Sequence, residues 1–192
     1  KAVFDKTQGD RIVIGSDTMV IKNSKLFGKP KDKQDAINML NLLKNDFIAF
    51  HISGGTSQAL LVKPDEKYFK TIKVSDSLDL KAGQAVDRVG VSLGLKFPCG
   101  PELEKLASRS NNELEYIKVF RRDGMFSLSG VENKCKQMLD KGFKHEDIAL
   151  YCLSYIYSAI DDTVDELTEK YGNLPVVFSG GVMSNKIIRQ KI

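Results

Sequence analysis

The chain has 192 residues, 42% of them hydrophobic, enough for one core or a tight pair of domains. Its 29 basic and 25 acidic residues leave a net charge of +4, too mild to argue nucleic-acid binding unaided. Cys99, Cys135 and Cys152 lack C-x-x-C spacing, which reads as free thiols in a reducing cytoplasm, and no signal peptide or membrane-length apolar stretch is visible.

In chain order, "RIVIGSDTMVI" (11–21) predicts a strand with an acidic break at Asp17. "FGKPKDKQ" is a turn punctuated by Gly28 and Pro30, and "QDAINMLNLL" (34–43) carries a helical stripe of Ala36, Ile37, Leu40 and Leu43. From Phe47 the text turns β-rich. "AFHISGGTSQALLV" (49–62) reads as a hairpin and "YFKTIKVSDS" (68–77) as a third strand. A helix is predicted over about 79–94, with Val86, Val89 and Leu93 on its core face. "FPCGPELEKLA" gives a rigid loop and a short helix, followed by a strand near 116–120 and a helix near 129–140. A long amphipathic helix over 146–170 ends at Gly172, and the strand "PVVFSGG" leads to a closing helix from Asn185. Both ends read as cut, since the chain starts at Lys1 and stops inside "IIRQKI".

The phrase Ser-Gly-Gly occurs twice at strand ends, at 53–55 and 179–181. Glycine lets a phosphate approach the backbone, and Ser53, Thr56 and Ser57 would add hydroxyl donors. Gly-Gly at a hairpin tip is nevertheless, taken alone, only a turn. Gly83 and Asp87 lie four apart on one helix face, where close approach plus an acceptor suits sugar hydroxyls; a packing glycine and a solvated aspartate are the plain alternative. Glu102 and Glu104 suit a helix start, and Asn185 suits an N-cap. Strands ending in glycine turns and followed by helices predict α/β architecture with a ligand at those ends.

The ordered motifs "HISGGTSQ", "LDLKAGQAVDRVGVSLGLKFPCGPELEKLA", "FSLSG" and "VVFSGGVMSN" resemble the glycoprotease-like TsaD family of tRNA threonylcarbamoyladenosine synthesis, over residues 47–192. The resemblance implies an incomplete actin-like ATPase (ASKHA, ribonuclease H-like) fold that holds ATP or an adenylate, with Mg²⁺ accompanying the nucleotide. Ser53, Gly54, Gly55 and Thr56 would meet the phosphates, Gly83 and Asp87 the ribose, and Gly100 and Glu104 the nucleoside. Gly181 and Asn185 would close the adenine side. Implied partners are tRNA and other tRNA-modification proteins, with no membrane, in the cytoplasm.

The sequence also departs from the family pattern. Thr56 stands where the family has histidine, and Gln84 where it has glutamate. The paired-histidine motif and the late aspartate of the family's Fe/Zn centre do not appear, so no metal site is assigned to this chain. Residues 1–46 resemble a fragment of the Maf-type nucleotide pyrophosphatase family, in which Asp17 would activate metal or water and Lys29 would contact a triphosphate. The expected division is therefore 1–46 and 47–192, with a natural fusion or an assembly artefact at the junction. Three functions follow from this reading: a TsaD-like nucleotide-binding protein related to threonylcarbamoyl transfer, a Maf-like pyrophosphatase, and a non-catalytic ATP-binding paralogue. No Ser-His or Cys-His nucleophile is apparent in the sequence.

Overall fold

The computed structural model describes residues 19–22, 25–27, 41, 44–65 and 69–192, the first two segments through their backbone. Asp17, Lys29 and, apart from Asn41, the helix expected over 34–43 lie outside the described residues. One mixed sheet carries the site. Its strands are β1 (Met19–Lys22), β2 (Lys25–Phe27), β3 (Phe47–Ile52), β4 (Ser57–Pro64), β5 (Phe69–Asp76) and β8 (Val176–Ser179), in the order β2-β1-β8-β3-β4-β5. The predicted hairpin is the antiparallel pair β3–β4, running from Phe47↔Val62 to Ile52↔Ser57. β8 returns parallel to β3, and β1 closes the other side of β8 antiparallel.

Side-chain alternation assigns the faces. Ile48, Phe50, Ile52, Ala59 and Leu61 point into the main core, whereas Phe47, Val62 and Val177 form a smaller cluster with Ala49 and Leu60. Phe50 and Phe178, neighbours in the parallel register, stack with ring centroids 5.0 Å apart. β5 is an edge strand whose first residues are exposed, and its lysines, Lys70 and Lys73, discourage further pairing.

Among the described residues, the longer helices that face the main core are α1 (Ala82–Ser92), α2 (Gly100–Ala107), α3 (Ser129–Asp140) and α4 (His145–Tyr171). The expected core stripe of α1 holds, with Val86, Val89 and Leu93 all buried. α4 is the spine. Its buried Ile148, Leu153, Ile156 and Ile160 each contribute roughly 1.5–3 kcal/mol relative to exposure. Gly172, at φ +80°, ends the helix in a conformation that favours glycine.

One predicted element is absent. Residues 116–120 form no strand; Arg121–Arg122 (β6) and Met125–Phe126 (β7) make a small hairpin after them. The segment before it lies along α4. Glu115 N donates to Ser154 Oγ at 3.3 Å and Ile117 N to Ser158 Oγ at 2.9 Å. The β-like composition is thus satisfied by a helix's serines and not by another strand. After β8 come a 3-10 turn (Gly181–Ser184) and a short helix, α5 (Lys186–Arg189). Asn185 is its N-cap as expected, with Oδ1 accepting from Ile188 N at 3.1 Å.

Candidate functional site

The two Ser-Gly-Gly turns stand side by side, because β3 and β8 are adjacent and parallel and both turns lie at their C-terminal ends. Register sets His51 against Ser179, and His51 Nδ1 lies 3.0 Å from Ser179 Oγ. A Ser–His pair therefore exists after all. The Ser179 hydroxyl, however, donates to Phe50 O at 3.0 Å, so its proton is committed and the pair tethers two strands rather than making a nucleophile. Gly180, at φ +101°, sits against the backbone of Ile52, where a Cβ would overlap the Ile52 carbonyl.

The first turn is braced from inside. Ser53 N donates to Thr56 O at 2.7 Å, while Ser53 Oγ accepts from Gly55 N (3.3 Å) and Thr56 N (3.1 Å). Ser57 departs from the sequence expectation of a hydroxyl offered to a ligand. It is fully buried, and its Oγ accepts from Ala82 N at 2.8 Å, capping α1. Gly83 N donates to Ser53 O at 3.1 Å. The start of α1 is thereby pressed against the turn, with an added Cβ at Gly83 only 2.6 Å from Gly54 Cα.

Asp87, one turn further along α1, has a structural duty that its spacing did not reveal. Its Oδ1 accepts from Cys99 N at 2.7 Å, fixing the loop that leads into α2. The buried Cys99 side chain packs on Gly90, where a Cβ would overlap it. This fixed loop brings Pro98, Gly100 and Pro101 towards the two turns.

Between these walls lies a cavity of about 350 Å³. Its lining includes Gly54, Gly83, Asp87, Gly100, Glu104, Gly181 and Asn185, all named from sequence. Ser53, Gly55 and Thr56 are not on it; Ser53 Oγ and the Gly55 and Thr56 amides bond within the turn. The sequence reading missed the apolar lining of Val86, Pro98, Pro101, Leu153 and Val182, together with Ser184. The prolines flanking Gly100 were the available signal.

The wall glycines have a common property. A Cβ added at Gly54, Gly100 or Gly181 would meet no atom within 4 Å, so packing does not require glycine at these places. What glycine does there is leave the cavity wall low.

The description "TsaD: tRNA N6-adenosine threonylcarbamoyltransferase" matches residues 36–192, which include every wall of this cavity. The chain belongs to the TsaD family. A TsaD relative from Wolbachia pipientis wMel, a tRNA N6-adenosine threonylcarbamoyltransferase, is 30% identical over 168 residues, which cover 81% of this chain and 49% of that protein. The Sulfurihydrogenibium enzyme of the same name is 30% identical over 150 residues, 76% of this chain and 44% of its own. The chain thus spans about half the length of the curated TsaD relatives it matches. The crystal structure of full-length HypF in its phosphate- and nucleotide-bound form aligns with a TM-score of 0.60 and 15% identity over 79% of this chain and 35% of HypF. That likeness concerns fold alone, and it agrees with the actin-like architecture expected for the TsaD part.

The TsaD match begins at residue 36, after Asp17 and Lys29, and the comparisons give the Maf likeness no support. Among the described residues no group of three His, Cys, Asp or Glu side chains is placed to hold an ion; His51 is engaged by Ser179, and His145 opens α4. No helix among the described residues is long and apolar enough to cross a membrane.

Proposed function

We propose that the cavity holds the adenosine of ATP or of an adenylate, and that the chain supplies the nucleotide-binding part of a threonylcarbamoyl transfer to N6 of an adenosine in tRNA. The observation that carries this reading is the convergence of Gly54, Gly100 and Gly181 on one cavity, where no internal contact asks for glycine. A base and ribose need a shallow backbone wall, apolar faces and a few directed polar groups. Val86, Leu153 and Val182 supply the faces. Asp87 and Glu104 offer acceptors to hydroxyl or amino groups, and Asn185, held by Ile188 N, presents its amide.

In the proposed step, the N6 amine attacks the carbamoyl carbonyl, the adenylate's phosphate leaves with the bonding pair, and the amine proton passes to solvent. Holding the adenylate still is the chain's part, and orientation supplies the rate advantage. With the reading come a nucleotide, tRNA and Mg²⁺ as the phosphates' counter-ion, in a cytoplasmic setting.

The test supplies this chain with threonylcarbamoyl-adenylate and unmodified tRNA, then digests the RNA and analyses its nucleosides by mass spectrometry. Threonylcarbamoyladenosine is expected, and it should vanish with Gly181→Val, whose side chain would enter the cavity. Nucleotide binding with no modified nucleoside would overturn the transfer and leave a binding protein.

A further inference from the structure

A second cavity, of about 280 Å³, shares no lining residue with the first. Leu153 of α4 lines the first, whereas Leu150, Tyr151 and Ser154 line the second, so the two lie against different faces of that helix. The second forms where the extended segment before β6 lies along α4, with Glu115 N held by Ser154 Oγ at 3.3 Å. Met138 near the end of α3 and Phe143 in the turn into α4 close it. Its walls are largely apolar, yet it also carries three carboxylates, Glu113, Glu115 and Asp147. Among the described residues no Lys, Arg or His lines it, in a chain whose net charge is +4.

Folding accounts for only part of this charge. Asp147 stands in the first turn of α4, where a carboxylate suits the helix dipole. Its Oδ1 accepts from Ser110 Oγ at 2.6 Å and Asn112 Nδ2 at 3.0 Å, which fixes the group and leaves Oδ2 without a partner among the described residues. Glu113 and Glu115 begin no helix. Glu113 meets only Lys191, in an exposed pair at 3.9 Å, and the Glu115 carboxylate has no partner among the described residues. The half-buried Tyr151 hydroxyl likewise takes no hydrogen bond from them.

We propose that this cavity binds a small organic ammonium ion, its charged head among the three carboxylates and its apolar body against Met138, Phe143 and Tyr151. An ammonium has donors and no acceptor, which matches carboxylate and phenol oxygens. Aromatic faces attract the same cation, and the aliphatic walls take its stem. The volume falls just below the usual ligand-pocket range of roughly 300–1,000 Å³, so one ring or a short chain fills it. The inference is independent of the adenosine reading.

Titration of the 192-residue chain with phenethylammonium chloride, followed by the NMR signal of the Met138 methyl, tests this. The signal is assigned by its loss in Met138→Leu, and phenethyl alcohol serves as the uncharged counterpart. At neutral pH an alkylamine keeps its proton. The ammonium should move the signal saturably and bind ~10-fold or more tightly than the alcohol at low ionic strength. That gap should narrow as salt is raised past roughly 0.1 M. Asp147→Asn should weaken the ammonium ~5-fold or more and leave the alcohol within ~2-fold. Should Asp147→Asn fail to fold, Glu115→Gln, at an exposed side chain, is expected to weaken the ammonium ~3-fold and the alcohol not at all. Equal affinity for the two probes would overturn the inference, as would a Met138 signal that neither probe moves.

Discussion

Gly83→Ala is expected to destabilise the chain by roughly 1–3 kcal/mol, the usual range for overpacking, and to weaken nucleoside binding. On helix propensity alone the change should help, since alanine is favoured over glycine by about 1 kcal/mol in a helix interior. Packing decides otherwise. The new Cβ would stand 2.6 Å from both Gly54 Cα and Gly54 N and 2.9 Å from Ser53 C, and these are backbone atoms with no rotamer to retreat into. Either α1 lifts off the turn, losing the Gly83 N to Ser53 O bond, or the turn moves into the cavity it lines. Urea unfolding and adenosine titration of the variant read both effects. A variant at least as stable as the parent, with unchanged affinity, would show that α1 does not press on the turn.

Asp79→Ala is expected to cost roughly 1–2 kcal/mol, the upper part of the range for losing a helix cap. Asp79 is a cap supplied from a distance. Its Oδ1 accepts from Leu80 N (2.6 Å), Leu128 N (2.8 Å) and Ser129 N (3.1 Å), and its Oδ2 from the hydroxyls of Ser127 (2.6 Å) and Ser129 (2.7 Å). The side chain thereby ties the start of α3 to the segment that enters α1. Partial burial pushes its carboxyl up, but hydrogen bonds from Ser127, Ser129, Leu128 N and Leu80 N outweigh this and hold it at about 2, against an ordinary 3.8. A carboxyl lowered by folding adds stability that is full above 3.8 and is lost as pH falls from there through about 2. Stability measured across that interval should therefore fall less steeply in Asp79→Ala than in the parent. Equal slopes would show that the carboxylate is not held by these donors. The Arg88–Glu132 pair at 2.9 Å makes a second tie between α1 and α3, but it is exposed and worth at most about 1 kcal/mol.

The places where sequence and structure part company share one cause. Periodicity reports which side of an element is buried, so the α1 stripe, the β3–β4 hairpin and the helix over 129–140 were all legible. It does not report which distant group a polar side chain meets. Ser57 read as a ligand donor because its partner, Ala82 N, lies 25 residues on. Asp79 drew no attention because all its partners but Leu80 N lie 48 to 50 residues away. The segment at 116–120 read as a strand because extended backbone looks alike whether its N–H groups meet a strand or, as here, serines 154 and 158 on a helix. That serine pair, four apart on an otherwise apolar stretch, was the clue available.

The site fared differently. Gly54, Gly83, Asp87, Gly100, Glu104, Gly181 and Asn185 come from four separate stretches of chain, yet they line one cavity. No local pattern could have assembled them; the ordered family motifs did. At Ser53 and Thr56 the structure adds what a local reading could not supply: Ser53 Oγ accepts from Gly55 N and Thr56 N, and Ser53 N donates to Thr56 O. Asp87 also has two roles to reconcile, since one of its oxygens holds Cys99 N while the side chain lines the cavity.

The measurement closest to the central claim is the thermal unfolding midpoint of this chain, alone and with saturating adenosine or ATP with Mg²⁺. A ligand that binds only the folded state stabilises it by about 2.7 kcal/mol at a hundredfold excess over Kd. For a chain of this size that is a rise of roughly 5–10 °C. A single cooperative transition moving up by that amount with either ligand is the predicted result. A midpoint that stays in place with both would contradict it, and would mean that the cavity between the two Ser-Gly-Gly turns does not bind a nucleotide.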